Sequence, residues 1–163
     1  MRHDLRETVK RASNSQDGMD EIQVGDQVIR FDRSLTKIAY SAVPVGDSER
    51  CGCLYCLSFA AQRSSVYPNE FISLLQKIGI DPDKEGEVYE LGPDGDRRVY
   101  GGWFYFAGEV AKPGERNSTF ANFEFWFADA MRLPKPTGDF GDKVAAVEFI
   151  TGLPWVLSDQ PEP

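Results

Sequence analysis

Three cysteines stand within six residues, Cys51-Gly52-Cys53-Leu54-Tyr55-Cys56, and they are all the cysteines the chain has. They lead into an apolar run with helical spacing, Leu54, Leu57 and Ala61, so the thiols belong at the start of a helix. There the free backbone N–H groups and the helix dipole favour thiolate over thiol, and thiolate is the form that binds metal or attacks a disulfide. Three uses follow from that placement. As ligands, Cys51, Cys53 and Cys56 offer a zinc ion three of the four groups it takes, the fourth being His3, a carboxylate, water or a group from a second copy of the chain. An iron–sulfur cluster, which takes four thiolates, fits less well. As a redox pair, Cys53 and Cys56 form a C-x-x-C in which Cys53 attacks and Cys56 resolves the mixed disulfide, although the flanking pattern is not the strand-helix-strand unit of thiol oxidoreductases. As packing residues, reduced thiols of an intracellular protein fill small apolar spaces one helical turn apart. An odd number of cysteines argues against a disulfide framework.

The second unusual stretch is Gly101-Gly102-Trp103-Phe104-Tyr105-Phe106-Ala107-Gly108, apolar on both faces of a strand. If helices cover Phe104 and Phe106, then Trp103 and Tyr105, with Trp126, form an aromatic surface able to stack a ligand or anchor a protein partner. The other reading is a central strand covered on both sides, with the loop 133–142 as the second cover.

Other routes to chemistry are thin. His3 is the only histidine, so a serine or cysteine nucleophile lacks the usual imidazole base. Glu85, Glu87, Glu90, Asp94 and Asp96 gather around one expected hairpin, where solvated charges belong. Asp81-Pro82-Asp83-Lys84-Glu85-Gly86 imitates the first half of a calcium-binding EF-hand loop, but the twelfth position is Gly92 where a bidentate glutamate is required. An enzyme is therefore not the expectation.

Eighteen Lys and Arg against 26 Asp and Glu give a net charge of −8, which disfavours nucleic acid and anionic membranes. No apolar run is long enough to span a bilayer, and the first residues lack the apolar core of a signal peptide, so the expectation is a cytoplasmic protein. Size and charge suit a small acidic binding domain that neutralises a basic protein partner, as an immunity protein neutralises a nuclease-type toxin. The alternative is a zinc-binding or thiol-redox protein built on Cys51, Cys53 and Cys56.

The elements that must position these residues read as one α+β domain over residues 22–157, between a flexible segment 1–21, with at most a short helix over 4–10, and a disordered tail 158–163. Strands are expected over 24–31 and 36–43, the second from the alternation of Ile38, Tyr40 and Ala42. Helices follow over 53–62 and, through Phe71, Leu74, Leu75 and Ile78, over a second segment that Pro68 opens and Gly79 stops. Strands return over 88–91, 97–110, 119–127 and 143–150, with 155–157 as a short extension. The order ββααββββ, with short turns and grouped strands, implies a mainly antiparallel sheet carrying two consecutive helices on one face.

Overall fold

A computed structural model describes residues 18–163. His3 and the short helix expected over 4–10 lie outside the described residues. The chain is α+β with a mainly antiparallel sheet: β1 (Asp20–Val24), β2 (Gln27–Phe31), α1 (Arg33–Ser41), α2 (Asp47–Cys51), α3 (Leu54–Ala61), α4 (Arg63–Val66), α5 (Asn69–Ile78), β3 (Glu87–Asp94), β4 (Arg97–Lys112), β5 (Asn117–Phe120), β6 (Phe123–Asp129) and β7 (Val144–Leu153). Among the described residues no helix is long and apolar enough to cross a membrane.

The sheet runs β1-β2-β4-β7-β6-β5, with β3 paired to the first half of the long β4. Its centre is the β4–β7 ladder, which extends from Arg98 opposite Leu153 to Ala107 opposite Val144. One face carries Phe104, Phe149, Phe123 and Phe125. The helices close over that face through Phe59, Tyr67 and Phe71, the ring of Phe71 lying 4.8 Å from Phe123 and 5.0 Å from Phe125. Aromatic rings that meet edge to face gain more than their area alone provides, and Tyr67 meets Phe104, Phe123 and Phe149 in that way.

Three expected strands need correction. Residues 36–43 do not form a strand; Arg33–Ser41 is α1. Asp32 caps it, its carboxylate accepting from the Leu35 amide at 2.9 Å, and such a cap satisfies a donor that a helix start would otherwise leave open. Thr36, Ala39 and Tyr40 are the buried positions, a helical i, i+3, i+4 set that the alternation of Ile38, Tyr40 and Ala42 concealed, and Ile38 is exposed. The single strand expected over 24–31 is instead the hairpin β1–β2, turned by Gly25 at φ 61°. The strand expected over 119–127 is likewise divided, into β5 and β6, at Asn122 with φ 57°. The other helix signals give α3 and α5; Gly79 stops α5 at φ 98° and the Ile80 amide folds back onto the Leu75 carbonyl at 2.9 Å.

The second face of the sheet is roofed around Tyr105 by loop together with one residue of α1. Tyr105 donates its hydroxyl to the Pro134 carbonyl and lies 6.1 Å from the Phe140 ring, while Tyr40 of α1 meets Phe140 edge-on at 5.4 Å and donates to the Tyr105 carbonyl. The sheet also curls back on itself. Buried Gln27 of β2 uses both ends of its amide on one residue of β6, accepting from the Phe127 amide at 2.9 Å and donating to its carbonyl at 3.0 Å. At the chain end, 155–157 is not a strand, and Glu162 reaches back to pair with Arg98 at 2.9 Å.

Candidate functional site

The structure brings the three thiols together. Cys51 is the last residue of α2, Gly52 turns the chain at φ 73°, and Cys53 is the residue from which α3 begins. Cys56 sits one turn into α3 and faces inward. The three sulfurs all lie within 4.8 Å of one another, with Cys51 and Cys53 exposed and Cys56 buried, the one such cluster among the described residues. The left-handed turn at Gly52 makes this possible. It reverses the chain within one residue, so the end of one helix and the start of the next present their thiols to the same point, and glycine adopts that dihedral without steric cost.

The local fields sort the thiols. Cys51 is held below the ordinary thiol range, first by the backbone amide of Cys53 and then by the thiols of Cys56 and Cys53. Cys56 is pushed far up, first by burial and then by hydrogen bonds with Cys51 and Cys53. The Cys53 sulfur accepts from the Cys56 amide at 3.4 Å. An exposed thiol inclined to ionise therefore sits beside a buried one that is not, and a cation placed between them would remove the proton from both.

At the start of α2, the helix that ends in Cys51, lies a charged group expected in solvent. Glu85 is fully buried, not solvated at a hairpin end: its side chain has 0% exposure. One carboxylate oxygen accepts from the Ser48 amide at 2.8 Å, from the Ser48 hydroxyl and from the Arg63 guanidinium at 2.9 Å. The other oxygen, the Tyr67 hydroxyl and Arg63 Nε are buried with no hydrogen-bond partner among the described residues. Burial works against the Arg63 charge, but Glu49 and Glu85 together hold the guanidinium above its ordinary value. No periodicity or motif marks Glu85, because its partners lie 37 and 22 residues away in sequence.

The aromatic candidates are placed differently. Trp103 and Tyr105 are 7% and 5% exposed, neighbours at 6.4 Å between ring centroids, and covered by the loop 133–142 and the segment before β3. Gly86 is pressed against both, since a Cβ there would lie 2.7 Å from the Tyr105 ring and 3.1 Å from Trp103. Trp126 is only partly buried; its indole donates to Glu148 at 2.7 Å and Arg116 stacks 4.0 Å above its ring. The three do not form one open face. A cleft of about 240 Å³ between α2 and the loop 133–142 is lined by Tyr40, Asp47, Arg50, Glu87, Tyr105 and Lys135 among others. Asp47 is already committed there, to Arg50 at 2.9 Å and to the Val88 amide at 3.0 Å.

Comparison of the chain with protein-family models, with curated proteins and with solved structures finds no match.

Proposed function

We propose that the chain is a thiolate metal-binding protein that holds one zinc ion through Cys51, Cys53 and Cys56, with the fourth position open to an external ligand. The observation that carries this reading is the mutual approach of the three sulfurs to within 4.8 Å. A tetrahedral zinc site with Zn–S bonds of about 2.3 Å has sulfurs about 3.8 Å apart, so small side-chain rotations suffice to close the cluster on one ion. A cluster of several irons asks for four thiolates, one more than is offered.

The position of the site supports an open fourth ligand. Two of its three thiols face solvent, and the nearby Asp47 carboxylate is engaged by Arg50 and Val88. Three protein ligands and one open position are the pattern of a zinc ion that exchanges a ligand, whereas purely structural zinc is closed by four. The large aromatic core needs no metal to form, which fits that division. The acidic-domain reading, neutralisation of a basic partner, rests on the chain's size and its net charge of −8.

The test is elemental analysis of freshly purified, reduced protein, followed by zinc titration against a chromophoric chelator. About one zinc per chain, lost when Cys51, Cys53 and Cys56 are all changed to Ser, is the expected result. Zinc uptake no greater than that of the triple variant overturns the proposal.

A further inference from the structure

Helix α2 is five residues long and ends in Cys51, too short to persist on its own. Its capping residue, Gly46, has no side chain, and no side-chain hydrogen bond is made from that position. The missing cap comes from elsewhere in the chain. Glu85 offers its backbone carbonyl to the Asp47 amide at 3.0 Å and its carboxylate to the Ser48 amide at 2.8 Å, so one residue satisfies two donors that a helix start leaves open. Glycine at 46 is what lets it in, since a Cβ there would lie 2.6 Å from the Glu85 oxygen. The same oxygen accepts from Arg63 of α4 at 2.9 Å, and Arg63 also pairs with Glu49 of α2. Glu85 thus ties α2, which ends in Cys51, to α4, which follows directly on α3, the helix that Cys53 caps and in which Cys56 lies.

We infer that Glu85, with Ser48 and Arg63, is a positioning clamp that fastens α2 to α4 and so fixes how α2 meets the intervening α3, bringing the three thiols together before any metal arrives. The inference rests on the metal-binding reading for its purpose and on the hydrogen-bond geometry for its existence. None of the three residues is a ligand. A buried carboxylate paired with a guanidinium is a costly way to join two helices compared with apolar contact, and its use at the start of the helix that ends in Cys51 is explained by the directional, fixed-length bonds it supplies. Groups hydrogen-bonded directly to metal ligands typically change metal affinity about 10- to 100-fold when replaced, and Glu85, which acts on the thiols through α2, belongs at the low end of that range.

Two probes separate the clamp from the metal reading: zinc alone, titrated against a chelator, and arsenous acid, which condenses with three adjacent thiols to a trithioarsenite with release of three water molecules. Arsenite capture by the metal-free, reduced protein reports thiol proximity whether or not zinc is the natural ligand. Glu85→Gln keeps the shape but loses the charge pairing, and it should weaken both zinc binding and arsenite capture by about tenfold. Ser48→Ala, which removes the hydroxyl that donates to Glu85 and accepts from Arg63 at 2.7 Å but keeps the backbone donor, should weaken both in the same direction by less, and it decides the matter if Glu85→Gln does not fold. Thr151→Ala, which loses a hydrogen bond to Asn122 across the sheet, is the stability control and should leave both unchanged. The clamp is overturned if the folded Glu85 and Ser48 variants capture arsenite like wild type. It is equally overturned if Thr151→Ala weakens capture as much as they do, or if wild type captures none. Wild type that takes no zinc but loses arsenite capture on Glu85→Gln would reject the metal reading and uphold the clamp.

Discussion

The amide of Cys56 donates to the sulfur of Cys53 at 3.4 Å, which makes a thiol the N-cap of α3. Serine and aspartate usually fill that position. Cys53 therefore has two separable roles, one in holding the helix start and one in the thiol cluster, and substitution can tell them apart.

Cys53→Ser should keep the cap, since the hydroxyl accepts the same bond, and should melt within a degree or two of the metal-free wild type. Cys53→Ala removes the acceptor and should cost about 0.5–1 kcal/mol. Both should lose zinc to the same extent. Thermal denaturation of the metal-free proteins, read beside zinc titration, checks this; equal stability of the Ser and Ala variants would remove the capping role.

Gln27→Leu should destabilise the fold by about 1–3 kcal/mol. The substitution keeps the bulk of a side chain that is 5% exposed but strips partners from the Phe127 amide and carbonyl, and a buried backbone group left unpaired costs that much. Urea denaturation followed by tryptophan fluorescence measures it. A loss below a few tenths of a kcal/mol would mean that water satisfies Phe127 in the variant.

Glu87 gives a pH dependence with a definite sign. Burial, then the nearby Asp47 carboxylate, raises its carboxyl above the ordinary value. The charged form is thus disfavoured in the fold relative to the unfolded chain, so Glu87 weakens stability at neutral pH. That penalty disappears as pH falls through the raised value toward the unfolded one. Glu87→Gln should melt slightly higher than wild type at pH 7, and the gap should close as pH drops through the carboxylate range. Melting curves across pH decide; a gap that widens on acidification would contradict the assignment.

The elements that sequence made legible were those whose signals are local. Gly79 and Pro82 marked the end of α5 because a left-handed stop and a helix breaker act within one turn. Phe123, Phe125 and Phe127 marked the inner face of β6 by alternation, and the cysteines were close in space because they are close in sequence. Helix α1 was hidden because its residues satisfy two periods at once. Ile38, Tyr40 and Ala42 alternate, yet Thr36, Ala39 and Tyr40 are the ones buried, and the Asp32 cap together with packing on the end of α5 chose between them. Glu85 was hidden for a different reason. Its burial depends on Ser48 and Arg63, groups distant in the chain, and a carboxylate beside a turn carries no local sign of such partners. The roof over Tyr105, by contrast, was legible: a strand apolar on both faces needs a second cover, and the loop 133–142 supplies it through Pro134 and Phe140.

The amide of Gln27 has a consequence beyond stability. The β5 strand pairs with β6 only from Phe123 to Phe125, so at Phe127 the outer side of β6 would present a bare donor and acceptor, the template on which a strand from another molecule adds. Gln27 fills both places with a side chain that cannot itself be extended. The hairpin at the start of the domain thus acts as a stopper on the far end of the sheet, and lateral growth by a neighbouring chain would first have to pull it out.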